Sequence, residues 1–145
     1  MTALTSLQLN LQTGDLSGAG TDGDVYLGFA GREFSIDTSA DDFEREGART
    51  YRFGDDANVL NASVNDPREP ALEVENTARF PVYVRFQPQS RTDNWLLARA
   101  TVTVNGGLFP MWDTAEHFSR RRGLWLGVRS GLVAHLLLHE DVPTG

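Results

Sequence analysis

Hydrophobic residues recur at every second position over several short stretches of the chain, and turn-forming residues separate these stretches. Leu7, Leu9 and Leu11 alternate with Gln8 and Asn10, and Val25, Leu27 and Phe29 alternate with Asp24, Tyr26 and Gly28. A period of two puts alternate side chains on one face of an extended strand, so each run offers an apolar face to a core and a polar face to water. GFAGREFSID (28–37) predicts a hairpin turning at Ala30-Gly31, with Phe34 and Ile36 inward on the return strand. RTYRF (49–53) predicts a short strand, and PVYVRFQ (81–87) sets Val82, Val84 and Phe86 on one face. LARATVTVNGG (97–107) sets Ala98, Ala100, Val102 and Val104 on one face, and LVAHLLLHE (132–140), after Gly131, predicts a closing strand. Many short strands without a long amphipathic helix between them predict an antiparallel β-sandwich or barrel.

Two stretches break the rhythm. Residues 54–80 are polar and interrupted by Pro67 and Pro70, which predicts a long connection carrying one short strand around Ala71–Val74. Residues 105–131 hold Phe109, Trp112, Phe118 and Trp125 among Gly and Pro, and predict an excursion that caps one end of the sandwich before the last strand. The 145 residues read as a single domain, 1–145, long enough to bury a core without disulfides or a structural metal. The chain has no cysteine, which removes disulfides and thiolate chemistry. Twenty acidic against thirteen basic residues give a net charge of −7, which opposes nucleic acid and anionic lipid at long range. No nucleic-acid partner is expected. The opening MTALTSLQLNLQTG lacks a basic segment followed by an apolar run, and no apolar stretch approaches the roughly 18 residues of a membrane span. A soluble chain is expected, cytoplasmic or peripheral to a membrane.

The acids gather in turns. TGDLSGAGTDGD (13–24) carries Asp15, Asp22 and Asp24; IDTSADDF (36–43) carries Asp37, Asp41 and Asp42; FGDD (53–56) carries Asp55 and Asp56; RTDN (91–94) carries Asp93 and Asn94. A hard cation such as calcium takes about 6–8 oxygen ligands from carboxylates, carbonyls and water. Glycine lets the backbone bend so that carbonyls converge. Loops after alternate strands of a sandwich meet at one end, so acids distant in sequence can share a site there. Asp, Asn, Thr and Gly also serve ordinary turns, and the opening loop alone is compatible with both uses. An EF-hand is excluded, because counting from Asp22 puts Tyr26 and Leu27 where a ligand and the glycine belong. A phosphate-cradling P-loop is excluded as well, since no Gly-Lys-Ser/Thr follows the glycines. His135 and His139 would stand roughly 13 Å apart on a strand, and no G-x-S-x-G accompanies His117. No catalytic residues are assigned, and the chain is not expected to be an enzyme.

The run LQLNLQTGDLSGAGTDGDVYLGFAGREFSIDTSADDFEREGARTYRF (7–53) resembles the first half of a PLAT domain, the sandwich module of lipoxygenases, pancreatic-type lipases, polycystins and clostridial alpha-toxin. The resemblance rests on T-G-D, then G-A-G-T-D, an aromatic-bearing strand, and the acidic DDFEREG before a second aromatic strand. PVYVRFQPQSRTDNWLLARATVTVNG (81–106) resembles the second half more loosely, and residues 57–80 are longer than usual for the family. The resemblance implies an eight-stranded antiparallel sandwich that brings a protein to a lipid interface or a protein partner, in several members with calcium. It also implies calcium ligands: Gly20, Thr21 and Asp22 in the first loop, Asp37, Thr38, Ala40 and Asp42 in the second, and Asp93 with Asn94 in the third. Gly18 stands where some members have an acid, and Thr38 where some have Asn. Trp95 resembles the family's core tryptophan.

Exposed aromatic residues seat such modules in the headgroup region. Phe109 and Trp112 in GGLFPMWD are the candidates for lipid or partner contact, with the basic run Arg120, Arg121 and Arg122. Bound calcium would reverse the local charge of an acidic surface and coordinate lipid phosphate, making attachment calcium-dependent. The alternative expectation is a protein–protein adaptor using the same sandwich, with calcium structural or absent.

Overall fold

The computed structural model describes residues 2–114 and 123–139. Among these residues ten strands run in chain order as β1 (Ser6–Thr13), β2 (Asp24–Phe29), β3 (Arg32–Ile36), β4 (Ala48–Gly54), β5 (Tyr83–Gln87), β6 (Trp95–Val104), β7 (Met111–Asp113), β8 (Leu124–Leu126), β9 (Val133–His135) and β10 (Leu137–His139). They form two antiparallel sheets, one ordered β10-β7-β6-β1-β4 with β8 also on β6, the other β3-β2-β5-β9. The alternating leucines of β1 and the Val25, Leu27 and Phe29 face of β2 meet between the sheets, each no more than 4% exposed. Ala30 and Gly31 turn the β2–β3 hairpin with φ of 53° and 88°, as the twist of a two-residue hairpin requires.

The count is ten rather than the expected eight because the tail is cut finer than its composition suggests. The single closing strand expected over 132–140 is two strands in different sheets: β9 pairs with β5, and β10 pairs with β7. Buried Leu136 is the crossing point, and its amide donates to the Val82 carbonyl at 2.9 Å. Within residues 105–131, expected to cap one end, the described residues supply β7 and β8, which share one edge of β6.

Two further expectations change. Thr13 pairs with Leu97 and Gln12 with Arg99, so Ala98 is an extra, half-buried residue in a β-bulge. A bulge shifts the side-chain phase by one. Trp95 and Leu97 therefore join Ala100, Val102 and Val104 on the core face, and Ala98 leaves it. Ala71–Val74 is not a strand: it makes only the isolated bridges Arg68–Ala71 and Ala3–Glu73 and then enters the 3-10 turn Val74–Ala78. Pro67 and Pro70 lack the amide donors that a continuous ladder needs.

The long connection has a mechanical use. The Asn58 carboxamide accepts from the Arg52 amide at 2.7 Å and donates to the Thr50 carbonyl at 2.9 Å, which satisfies the free edge of β4. Asn65 accepts from the Ser35 amide of β3 at 2.9 Å. Arg32 donates to the carbonyls of Val64, Asp66 and Glu69, pinning the connection over both edges. Sheet edges left bare invite pairing with other chains.

The bulge brings Trp95, fully buried, to Thr13, whose hydroxyl accepts the indole N–H at 2.9 Å. Thr13→Val would leave that N–H without its acceptor, and a loss of about 1–3 kcal/mol in unfolding free energy is expected by denaturant titration.

Candidate functional site

β1 lies antiparallel to β4 and β6, and β2 antiparallel to β3 and β5. This topology sends the loops at 14–23, 37–47 and 88–94 to one end of the sandwich. Thr21, 6% exposed, joins all three. Its amide donates to the Phe43 carbonyl of the second loop at 3.0 Å. Its hydroxyl donates to Asp93 Oδ1 of the third loop at 2.6 Å and accepts from the Gly23 amide at 2.9 Å. Asp93 Oδ2 accepts from the Gln89 amide at 2.9 Å, so both oxygens of that carboxylate are engaged.

Aromatic packing holds this arrangement from below. Phe43 sits in the left-handed region with φ 62°, a conformation costly for a residue with a side chain. Its ring is buried against Trp95 at 5.6 Å and Tyr51 at 6.2 Å between centroids, and Phe86 meets Trp95 at 5.8 Å. The second loop is thus anchored by its one large apolar residue while its acids stay above the core.

Those acids form a compact group. Asp42, 5% exposed in its side chain, accepts from the Thr38 amide at 2.8 Å, the Thr38 hydroxyl at 2.9 Å and the Tyr51 hydroxyl at 2.9 Å. The Arg49 guanidinium lies 3.8 Å away. Asp37 lies beside Asp42: partial burial first, then the neighbouring Asp42 carboxylate, raises its pKa above the ordinary value for an aspartate. Burial, and then Asp42, likewise raises the Tyr51 phenol. The polar tip of Tyr51 beneath the acids was not foreseen, because a period-two strand marks Tyr51 only as a core residue.

The candidate ligands fall into two groups. Gly20, Thr21, Asp22 and Asp93 line a cleft of about 470 Å³ together with Glu44 and Arg45. Gly20 is required there, since a side chain at its position would meet the Arg45 amide nitrogen at 2.8 Å. Asp37, Thr38, Ala40 and Asp42 form the second group, where the Ala40 amide donates to the Thr38 hydroxyl at 3.2 Å. Asn94 is exposed and donates to the Thr92 carbonyl at 3.2 Å. The donors are all oxygens, which suits calcium in kind. Among the described residues, however, no three acidic or histidine side chains converge on one point that could hold a metal.

Other acids have separate roles: Asp15 pairs with Arg45 at 3.0 Å, Asp55 with Arg68 at 2.7 Å, and Asp56 occupies a turn with φ 57°. His135 and His139 lie on strands of different sheets. Of the contact candidates, Phe109 is 47% exposed beside Leu108 at 81%. Trp112, expected as an exposed anchor, is instead 4% exposed and packs edge-on to Phe29 at 4.9 Å, because the three-residue β7 turns its middle side chain inward. His117, Phe118, Arg120, Arg121 and Arg122 lie outside the described residues.

Folded Asp37 holds its proton more tightly than the unfolded chain does, so stability falls as pH rises through the carboxylate range. Asp37→Asn is expected to raise the melting temperature by about 2 °C at pH 7 in chelator. The gain vanishes at a pH low enough to protonate Asp37 in both states; thermal scans across pH check both parts.

No protein-family model and no curated protein sequence matches the chain. Solved structures do. Alpha-toxin from Clostridium absonum superposes with a TM-score of 0.63 at 18% identity, over 94% of this chain and 32% of the toxin. Alpha-toxin from an avian strain of Clostridium perfringens gives 0.61 at 19% identity, again over 94% and 32%. Coral 8R-lipoxygenase, described as activated by calcium through a C2-like domain, gives 0.56 at 16% identity over 96% of this chain and 18% of the enzyme. The chain thus spans about a third of the toxins and less than a fifth of the lipoxygenase. At these identities the likeness concerns architecture, and the chain has the two-sheet, C2-like sandwich fold of a PLAT-type domain.

Proposed function

We propose that the domain is a non-catalytic module that attaches to a lipid or membrane surface in a calcium-dependent way. The observation that carries this reading is the crowding of Asp37 against Asp42, with Asp22 and Asp93 in the neighbouring loops of the same end. In a chain of net charge −7, such a group repels anionic headgroups until a cation offsets it. The calcium activation named for the coral lipoxygenase, which shares the fold, supports the same direction.

The residues that would hold calcium are Asp22, Asp37, Asp42 and Asp93 with the oxygens of Gly20, Thr21, Thr38, Ala40 and Asn94. Bound calcium supplies positive charge and open coordination positions for phosphate oxygens. The chain's own part is to keep the three loops in register through Thr21 and to hold Asp42 fixed between Thr38 and Tyr51.

A protein adaptor is the second reading, favoured by a different surface. Trp125, Val128, Leu132, Val133, Leu137 and Leu138 are 38–52% exposed, all in the last described stretch of the chain. That surface needs no calcium.

Calorimetry is expected to show saturable calcium binding that Asp22→Asn with Asp37→Asn weakens at least tenfold. Anionic liposomes are expected to pellet the domain with calcium and not with chelator. Absence of calcium heat together with calcium-independent pelleting would overturn the proposal.

A further inference from the structure

Away from the acidic loops, the sandwich holds an open apolar cleft. Its floor is Val82, Val104, Trp112 and Leu136, each 4–6% exposed, and its walls include Leu137 and Leu138 of β10 at 40% and 49%. The 3-10 turn Val74–Ala78 closes one side. Val104 ends β6 and pairs with Leu7 near the start of β1, whereas the acidic loops follow Thr13 and precede Trp95. The cleft therefore lies toward the opposite end of the molecule.

Its size and chemistry suit a small ligand. The volume is about 660 Å³, inside the roughly 300–1,000 Å³ range of small-molecule sites, which are mostly apolar with a few placed polar groups. Among the described residues, the polar groups lining this one are Thr2, Glu75, Thr77 and His135. Glu75 is the one carboxylate among them, and the amide of Thr2 holds it at 2.9 Å. Its hydrogen bonding to Thr2, then its own backbone and, as the smallest cause, the positive charge of the amino terminus lower its pKa to about 2. No ion pair with an arginine engages it among the described residues. Thr77 turns its hydroxyl to the Val74 carbonyl at 2.8 Å, and His135 stacks edgewise on Tyr83 at 6.3 Å. Among the described residues the rim thus offers one hydrogen-bonded carboxylate beside an apolar trough.

We propose that this cleft binds a single-chain cationic amphiphile, with its alkyl tail along Val82, Val104, Trp112 and Leu138 and its ammonium head at the Glu75 carboxylate. Apolar burial supplies the affinity and Glu75 the selectivity for charge. The site is independent of the calcium loops, so its occupancy does not change with chelator.

The test uses the full chain with decyltrimethylammonium, decanol and decyl sulfate, each below its micelle concentration, followed by calorimetry. Saturable one-to-one binding of the cation is expected, at least fivefold tighter than decanol and tighter still than the sulfate. Glu75→Gln should bring the cation to the level of decanol and leave decanol binding unchanged. Ala78→Trp, which fills the mouth from the 3-10 turn, should abolish both, with a native circular dichroism spectrum confirming the fold. Absence of saturable binding overturns the proposal, as does retention of the charge preference in Glu75→Gln. An equal loss of preference in Asp41→Asn, an exposed acid in the loop at the opposite end of the sandwich, would trace it to overall charge and overturn it too.

Discussion

The loop end of this domain depends on the hydrogen bonding of one buried threonine. Thr21 is nearly inaccessible to water, so its amide and hydroxyl must find partners inside the protein. They find them in all three loops: Phe43 in the second, Asp93 in the third and Gly23 in its own. Asp93 is therefore held in place by the hydrogen bonding that Thr21 requires. On the proposed reading, a cation would meet loops already in register, and folding would already have met most of the ordering cost of bringing distant segments together.

The aromatic layer beneath makes that register rigid. Phe43 accepts a left-handed backbone because its ring is locked among Tyr51 and Trp95, and Tyr51 passes the constraint upward through its hydrogen bond to Asp42. Core packing and acid placement are thus coupled through a single phenol. Away from these loops the polarity is reversed: the cleft floor is apolar, and a carboxylate stands only at its rim. The two lateral edges differ as well, one sheathed by Asn58, Asn65 and Arg32, the other formed by the three-residue strands β9 and β10.

Much of this was legible in the residues. The alternation of Leu7, Leu9 and Leu11, and of Val25, Leu27 and Phe29, marks the strands because one face is buried and the other wet. The hairpin at Ala30-Gly31 follows from the chemistry of a two-residue turn. The Ala98 bulge was hidden, since a one-residue slip reverses the faces without changing the composition of the run. The split of the C-terminal segment was hidden for a related reason: Leu136 is one apolar residue among several, and only three-dimensional packing makes it the crossing between sheets. Trp112 in an aromatic-rich, proline-punctuated stretch looks like a surface anchor, but the short strand β7 turns it inward. At the acidic loops, sequence order shows which residues are acids. It does not show that Asp42 and Asp93 already accept hydrogen bonds from Thr38, Tyr51, Thr21 and Gln89.

Residue-resolved amide shifts during calcium titration decide whether these three loops form one calcium-responsive surface. Saturable shifts are expected, concentrated in residues 18–24, 37–43 and 91–94, with a coupled change at Tyr51 and none along the cleft at Val82, Val104 and Leu136. Unchanged loop amides at saturating calcium, or shifts scattered over the acidic surface without saturation, would contradict it.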